Sequence, residues 1–149
     1  MATLEDLLRK REGVKTKVYL DSRGKPTVGI GHLVTAADKL KVGDEITDQQ
    51  VSEFFKKDSA AALSAAKSQA TQAGINDSNF VVYLASVNFQ LGTSWNTVHK
   101  KTWKLIMDGN YEEAAVEAGK STWASQTPVR VKDFQQALRA LPKRDPAKK

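Results

Sequence analysis

The chain has 149 residues and a mass of 16.4 kDa, enough to bury a sizeable core but too short for two independently folding domains. With 40% hydrophobic and 27% charged residues it excludes wholesale disorder, and with no cysteine and only His32 and His99 as imidazoles it excludes disulfides and Cys/His zinc centres. No metal or other cofactor is expected. Lys plus Arg number 23 against 17 for Asp plus Glu, and the resulting +6 favours polyanionic partners: nucleic acid, acidic lipid or an anionic bacterial envelope.

In chain order, Met1 to Glu12 is polar and lacks the apolar core of a signal peptide, so the chain is expected to be made in the cytosol and to stay soluble. Thr3 with Asp6, followed by Leu4, Leu7 and Leu8 on one face, predicts a helix over 4–11 that Gly13 stops. Lys17 to Leu20 and Thr27 to Gly31 read as two strands around the turn-forming Asp21-Ser22-Arg23-Gly24. Pro26 suits the first position of the second strand.

From Thr47 the apolar period becomes helical. Thr47 with Gln50 opens a long helix reaching Ala73, ended by Gly74. Asp77 or Ser78 opens another that closes at Gly92, Thr97 one that closes at Gly109, and Asn110 one that reaches Lys120. Thr127-Pro128 starts the last, which stops at Pro142, and the basic tail from Pro142 to Lys149 reads as a solvated end. This is an α+β pattern, a small sheet lobe and a larger helical lobe with a cleft between them. The whole chain is read as one unit, with residues 13–58 as the sheet lobe and 1–12 plus 59–149 as the helical lobe.

Glu12 ends the first helix, and Asp21 and Thr27 flank the hairpin turn. A folded-back hairpin would bring all three together, and two carboxyls with a hydroxyl between them can hydrolyse a glycoside by inversion. One carboxyl protonates the leaving oxygen while the other and the hydroxyl hold water. Each residue also has an ordinary structural use: an ion-paired helix end, a turn Asp, a strand Thr. His32 reads as structural and His99 as a surface residue.

The same stretch resembles the catalytic motif of phage-type lysozymes, the muramidases of glycoside hydrolase family 24 typified by the T-even bacteriophages. Asp21 follows Glu12 by nine residues and Thr27 follows Asp21 by six, with Gly29-Ile30-Gly31-His32 after them. Asn88 to Gly92, Tyr111 to Val116 and Lys120 to Arg130 resemble the same family's helical lobe, so the likeness covers essentially the whole chain. It implies a lysozyme-like α+β fold with Glu12 as general acid, Asp21 orienting the water and Thr27 helping to position it. Inversion implies carboxyls roughly 6.5–9.5 Å apart.

By the same resemblance Arg130 pairs with the catalytic Glu, His32 pairs with Asp58, and Leu33, Phe89, Gln90 and Thr102 contact the sugar. The sequence departs from the T-even pattern at Glu117 and Thr122, where those enzymes carry an Asn and an Arg, and its run from Leu33 to Thr47 is shorter. The expected activity is hydrolysis of the β-1,4 bond between N-acetylmuramic acid and N-acetylglucosamine in peptidoglycan, by a monomer that acts in the periplasm during host-cell lysis. A holin or a virion assembly would give it access. The alternatives are a lytic transglycosylase on the same bond and a non-catalytic peptidoglycan binder; a nucleic-acid partner is disfavoured because the cations are scattered and no recognition motif stands out.

Overall fold

A computed structural model describes residues 3–142. The chain is mostly helical with a small antiparallel sheet, the α+β arrangement expected, and it divides after Ala60 into two compact units. The expected division instead grouped residues 1–12 with the later helices. The tail's four basic residues, Lys143, Arg144, Lys148 and Lys149, lie outside the described residues.

In the first unit, α1 spans Leu4–Glu12 and opens on a reciprocal capping box between Thr3 and Asp6, with Leu4, Leu7 and Leu8 buried. Its acidic first turn and basic last turn both suit the helix dipole. Arg9 ties it to the start of the long helix through Asp48 (3.0 Å) and Ser52 (2.9 Å). The sheet consists of β1 (Lys15–Leu20), β2 (Pro26–Gly29) and β3 (His32–Leu33) in that order, all antiparallel. The predicted second strand ends early, at Gly29: Gly29 and Gly31 both have positive φ (67° and 66°), so the chain reverses there and the short β3, which the sequence reading did not include, returns alongside β2. Val18, Val28, Ile30, Ile46, Val51 and Phe55 form this unit's apolar interior.

The shortened run after Leu33 holds a single 3-10 turn, Ala36–Asp38, and then a segment that lies along β1. Val18 N–H donates to Asp44 O, Gly43 N–H to Val18 O and Ile46 N–H to Thr16 O, at 2.7–2.9 Å, with Lys17 and Glu45 paired as an isolated bridge. Next comes α2, Asp48–Gln72, started by the Thr47/Gln50 box read from the sequence.

The second unit takes the rest of α2 and α3 (Ser78–Leu91, capped by Asp77), α4 (Trp95–Val98), α5 (Lys100–Met107), α6 (Tyr111–Ala118), α7 (Thr122–Gln126) and α8 (Pro128–Arg139). The helix expected over 97–109 begins two residues earlier and breaks at His99, which ends α4 and precedes α5. Helix α7 is an addition to the expected set; Ser121 starts it by accepting Ala124 N–H. Trp95, Trp123 and Phe80 surround Phe134, with ring centroids 5.8–6.0 Å from it, and this aromatic cluster is the unit's core. His99 is half-buried beside Trp95 and Trp123 rather than at the surface.

Candidate active site

Within the first unit, α1 ends on Glu12, and the β1–β2 hairpin carries Asp21 and Thr27, both bonded to the main chain of Lys25. Glu12 is the last residue of α1, where Gly13 ends the helix, and its side chain is exposed. A methyl group at Gly31 would lie 3.7 Å from Glu12 Oε2, so the turn between β2 and β3 faces this carboxyl with bare backbone.

Asp21 stands one residue past the last β1–β2 pair, Leu20 with Pro26, and organises the turn. Its Oδ1 accepts the N–H groups of Arg23 (2.8 Å) and Lys25 (2.9 Å), while its own N–H donates to Lys25 O (2.9 Å) and its carbonyl accepts Gly24 N–H (2.9 Å). The Lys25 N–H foremost, with Arg23 N–H and the two cationic side chains, outweighs slight desolvation and holds the Asp21 carboxyl below the usual value of 3.8. Asp21 is therefore a carboxylate throughout the neutral range.

Thr27 is buried in β2, between Tyr19 of β1 and Leu33 of β3 in one row of the ladder. Directly paired residues share a face, so an exposed aromatic and an exposed aliphatic flank this hydroxyl. Its Oγ1 donates to Lys25 O at 3.1 Å.

His32 is buried with both ring nitrogens satisfied. Nδ1–H donates to Asp58 Oδ2 at 2.6 Å and Nε2–H to Asp38 Oδ2 at 2.8 Å, while the ring stacks on Phe54 at 4.1 Å. Burial opposes the charge, but the two carboxylates prevail and raise the His32 pKa above 6.5, favouring the imidazolium. Asp38 is a partner that sequence reasoning missed. Its trace is Thr35, whose N–H caps onto the same Asp38 oxygen at 2.8 Å in the 3-10 turn.

The other expected residues, Leu33 apart, lie in the helical unit. Arg130 Nη2 donates to Ser86 O (3.1 Å) and Ser86 Oγ (2.9 Å). Gln90 Oε1 accepts Trp123 Nε1–H (2.9 Å) and its Nε2 donates to Thr127 Oγ1 (3.1 Å), so both ends of the amide are engaged. Phe89 is half-buried, Thr102 is buried at 4% exposure, and Leu33 in the first unit is 51% exposed. Among the described residues no group of His, Asp or Glu is arranged to hold a metal ion.

Two carboxyls and a hydroxyl around a helix end and a hairpin, on a small α+β scaffold, are the equipment of a glycoside hydrolase. The chain belongs to the phage lysozyme family, whose model matches residues 9–144. It is 34% identical to "Probable T4-type lysozyme 2" of Dictyostelium discoideum, over 87% of this chain and 89% of that protein. It is also 30% identical to peptidoglycan hydrolase gp36 of Pseudomonas phage phiKMV, over 85% of this chain and 14% of that protein, and 27% identical to the pre-baseplate central spike protein Gp5 of Enterobacteria phage T4, over 86% and 26%. The protein is a lysozyme-type glycoside hydrolase.

Proposed function

We propose that the protein cleaves the β-1,4 bond between N-acetylmuramic acid and N-acetylglucosamine in peptidoglycan, with inversion at the anomeric carbon, and that it does so in the periplasm during host-cell lysis. The observation that carries the chemistry is the turn-bound Asp21 carboxylate beside a hydroxyl, Thr27, with the exposed Glu12 carboxyl at the adjoining helix end. Glu12 gives its proton to the departing glycosidic oxygen. Water adds to the anomeric carbon from the opposite face, and its proton passes to Asp21.

A carboxylate with a lowered pKa is a weak base toward neutral water, but it remains ionised and close to the developing oxocarbenium charge. It takes the proton late, once the water oxygen has begun to bond to carbon. Leu33 and Phe89, which keep side-chain surface, are the proposed sugar contacts; Gln90 and Thr102 are committed within the helical unit. The +6 charge suits an anionic envelope. Access through a membrane-permeabilising partner of holin type completes the proposal.

Digestion of purified peptidoglycan tests it. Mass spectrometry should find reducing muramic acid ends, and proton NMR of the first product should show the α-anomer. Anhydro ends would make it a lytic transglycosylase, the β-anomer a retaining enzyme, and binding without release of fragments a non-catalytic module.

A further inference from the structure

In the β1–β2 turn, three hydrogen bonds end on the main chain of one residue. Lys25 N–H donates to Asp21 Oδ1 at 2.9 Å, and Lys25 O accepts both Asp21 N–H at 2.9 Å and Thr27 Oγ1–H at 3.1 Å. The two groups proposed to hold the water are thus tied to the same residue. The sequence stiffens it: Pro26 follows, and a residue before proline is driven from the helical region into extended backbone. Pro26 is itself fixed opposite Leu20 at the start of β2 and accepts Val34 N–H at 3.0 Å.

This convergence determines what each side chain offers. Asp21 binds both turn amides through Oδ1, so Oδ2 takes no part in those bonds. A threonine hydroxyl has one proton and two lone pairs. With its proton on Lys25 O, Thr27 meets a further polar partner only as an acceptor. A water molecule that donates one proton to Asp21 and the other to Thr27 has both protons assigned and a lone pair left for carbon.

Resting on the inverting hydrolysis above, we propose that the Lys25 main chain is a positioning residue: it fixes Asp21 and Thr27 as a pair of acceptors for the attacking water, and Thr27 never donates to that water. In the step it serves, the bond from water oxygen to the anomeric carbon forms and the glycosidic C–O bond breaks. Glu12's proton goes to the leaving oxygen and the water's proton to Asp21.

The test replaces Lys25 by its α-hydroxy acid, which turns the Gly24–Lys25 amide into an ester and deletes one N–H while leaving Lys25 O in place. The Asp21 carboxyl, followed by carbon-13 NMR, should titrate nearer its ordinary value, and the acid limb of the kcat profile should move up with it. At its optimum kcat should fall roughly 10- to 100-fold with little change in KM. The same ester at Gly43, whose N–H makes a 2.9 Å bond to Val18 O in the same unit, should lower Tm without moving the acid limb.

Thr27→Val should reduce kcat, and Thr27→Ser should restore most of the loss. An ester at Lys25 that leaves the Asp21 titration and kcat unchanged overturns the positioning role, while an inactive Glu12→Gln keeps the hydrolase reading intact. If Asp21→Asn and Thr27→Val both retain full kcat, the inverting mechanism itself fails.

Discussion

The two units of this molecule use polar groups in opposite ways. In the helical unit they close on one another: Gln69 and Asn88 exchange amide hydrogen bonds at 2.8 and 3.0 Å, Trp95 Nε1–H donates to Gln69 Oε1 at 3.0 Å, and all three residues are buried. In the sheet unit, the hairpin and helix end keep Glu12 exposed and Asp21 half-exposed, with Asp21 anchored through a single oxygen. A closed network specifies a core, because each partner lost leaves a desolvated group behind. In the open one, Asp21 Oδ2 takes no part in the turn's bonds. Location relative to solvent, more than residue type, separates structural polarity from chemical polarity here.

The sharpest way to break that contrast is Glu12→Gln. It should cut kcat roughly 10²- to 10⁴-fold with Tm unchanged, measured by wall lysis and thermal unfolding side by side; full activity would remove Glu12 from the acid role. Gln69→Leu should do the reverse. By stranding Asn88 Oδ1 and Trp95 Nε1 it should cost about 2–5 kcal/mol in urea unfolding, with kcat of the folded fraction preserved.

His32→Gln lies between the two, since the ring is buried yet belongs to the sheet unit. The His32 pKa is raised above 6.5, so its contribution is complete below pH 6.5 and is lost as pH rises through the higher folded value. For Asp38, hydrogen bonds from Thr35 and His32 outweigh burial and lower its pKa below 3.8; that contribution is present above pH 3.8 and is lost as pH falls through the lower folded value. The wild-type advantage over His32→Gln should therefore be about 1.5–3 kcal/mol near pH 5 and shrink in alkali, as unfolding at a series of pH values would show. Arg139→Ala, which breaks the exposed 2.7 Å pair with Glu112, should cost under about 1 kcal/mol, and less still in high salt.

Several helix starts were legible in the sequence from a capping side chain or an N1 proline, while the Ser121 cap of α7 was not read. Thr3/Asp6, Thr47/Gln50, Asp77 and Pro128 each mark a start that the structure has. What stayed hidden was tertiary. The break at His99 has no proline or glycine beside it, and Gly29 and Gly31, which reverse the chain, fall within the run read as one strand. In the candidate site, the residue types and their spacing were readable. The second carboxylate on His32 and the engagement of Gln90 with Trp123 and Thr127 depend on chain returns 6, 33 and 37 residues long, which no local pattern encodes.

The segment alongside β1 bears on how the protein behaves in bulk. A small sheet exposes two borders, and an unpaired border invites strands from other chains. Here residues 43–46 occupy hydrogen-bonding positions of β1 on its outer side, and the opposite border, β3, is only two residues long. Neither side offers a long template for growth. Among the described residues the sheet thus presents no extended border to which a strand of a second copy could add.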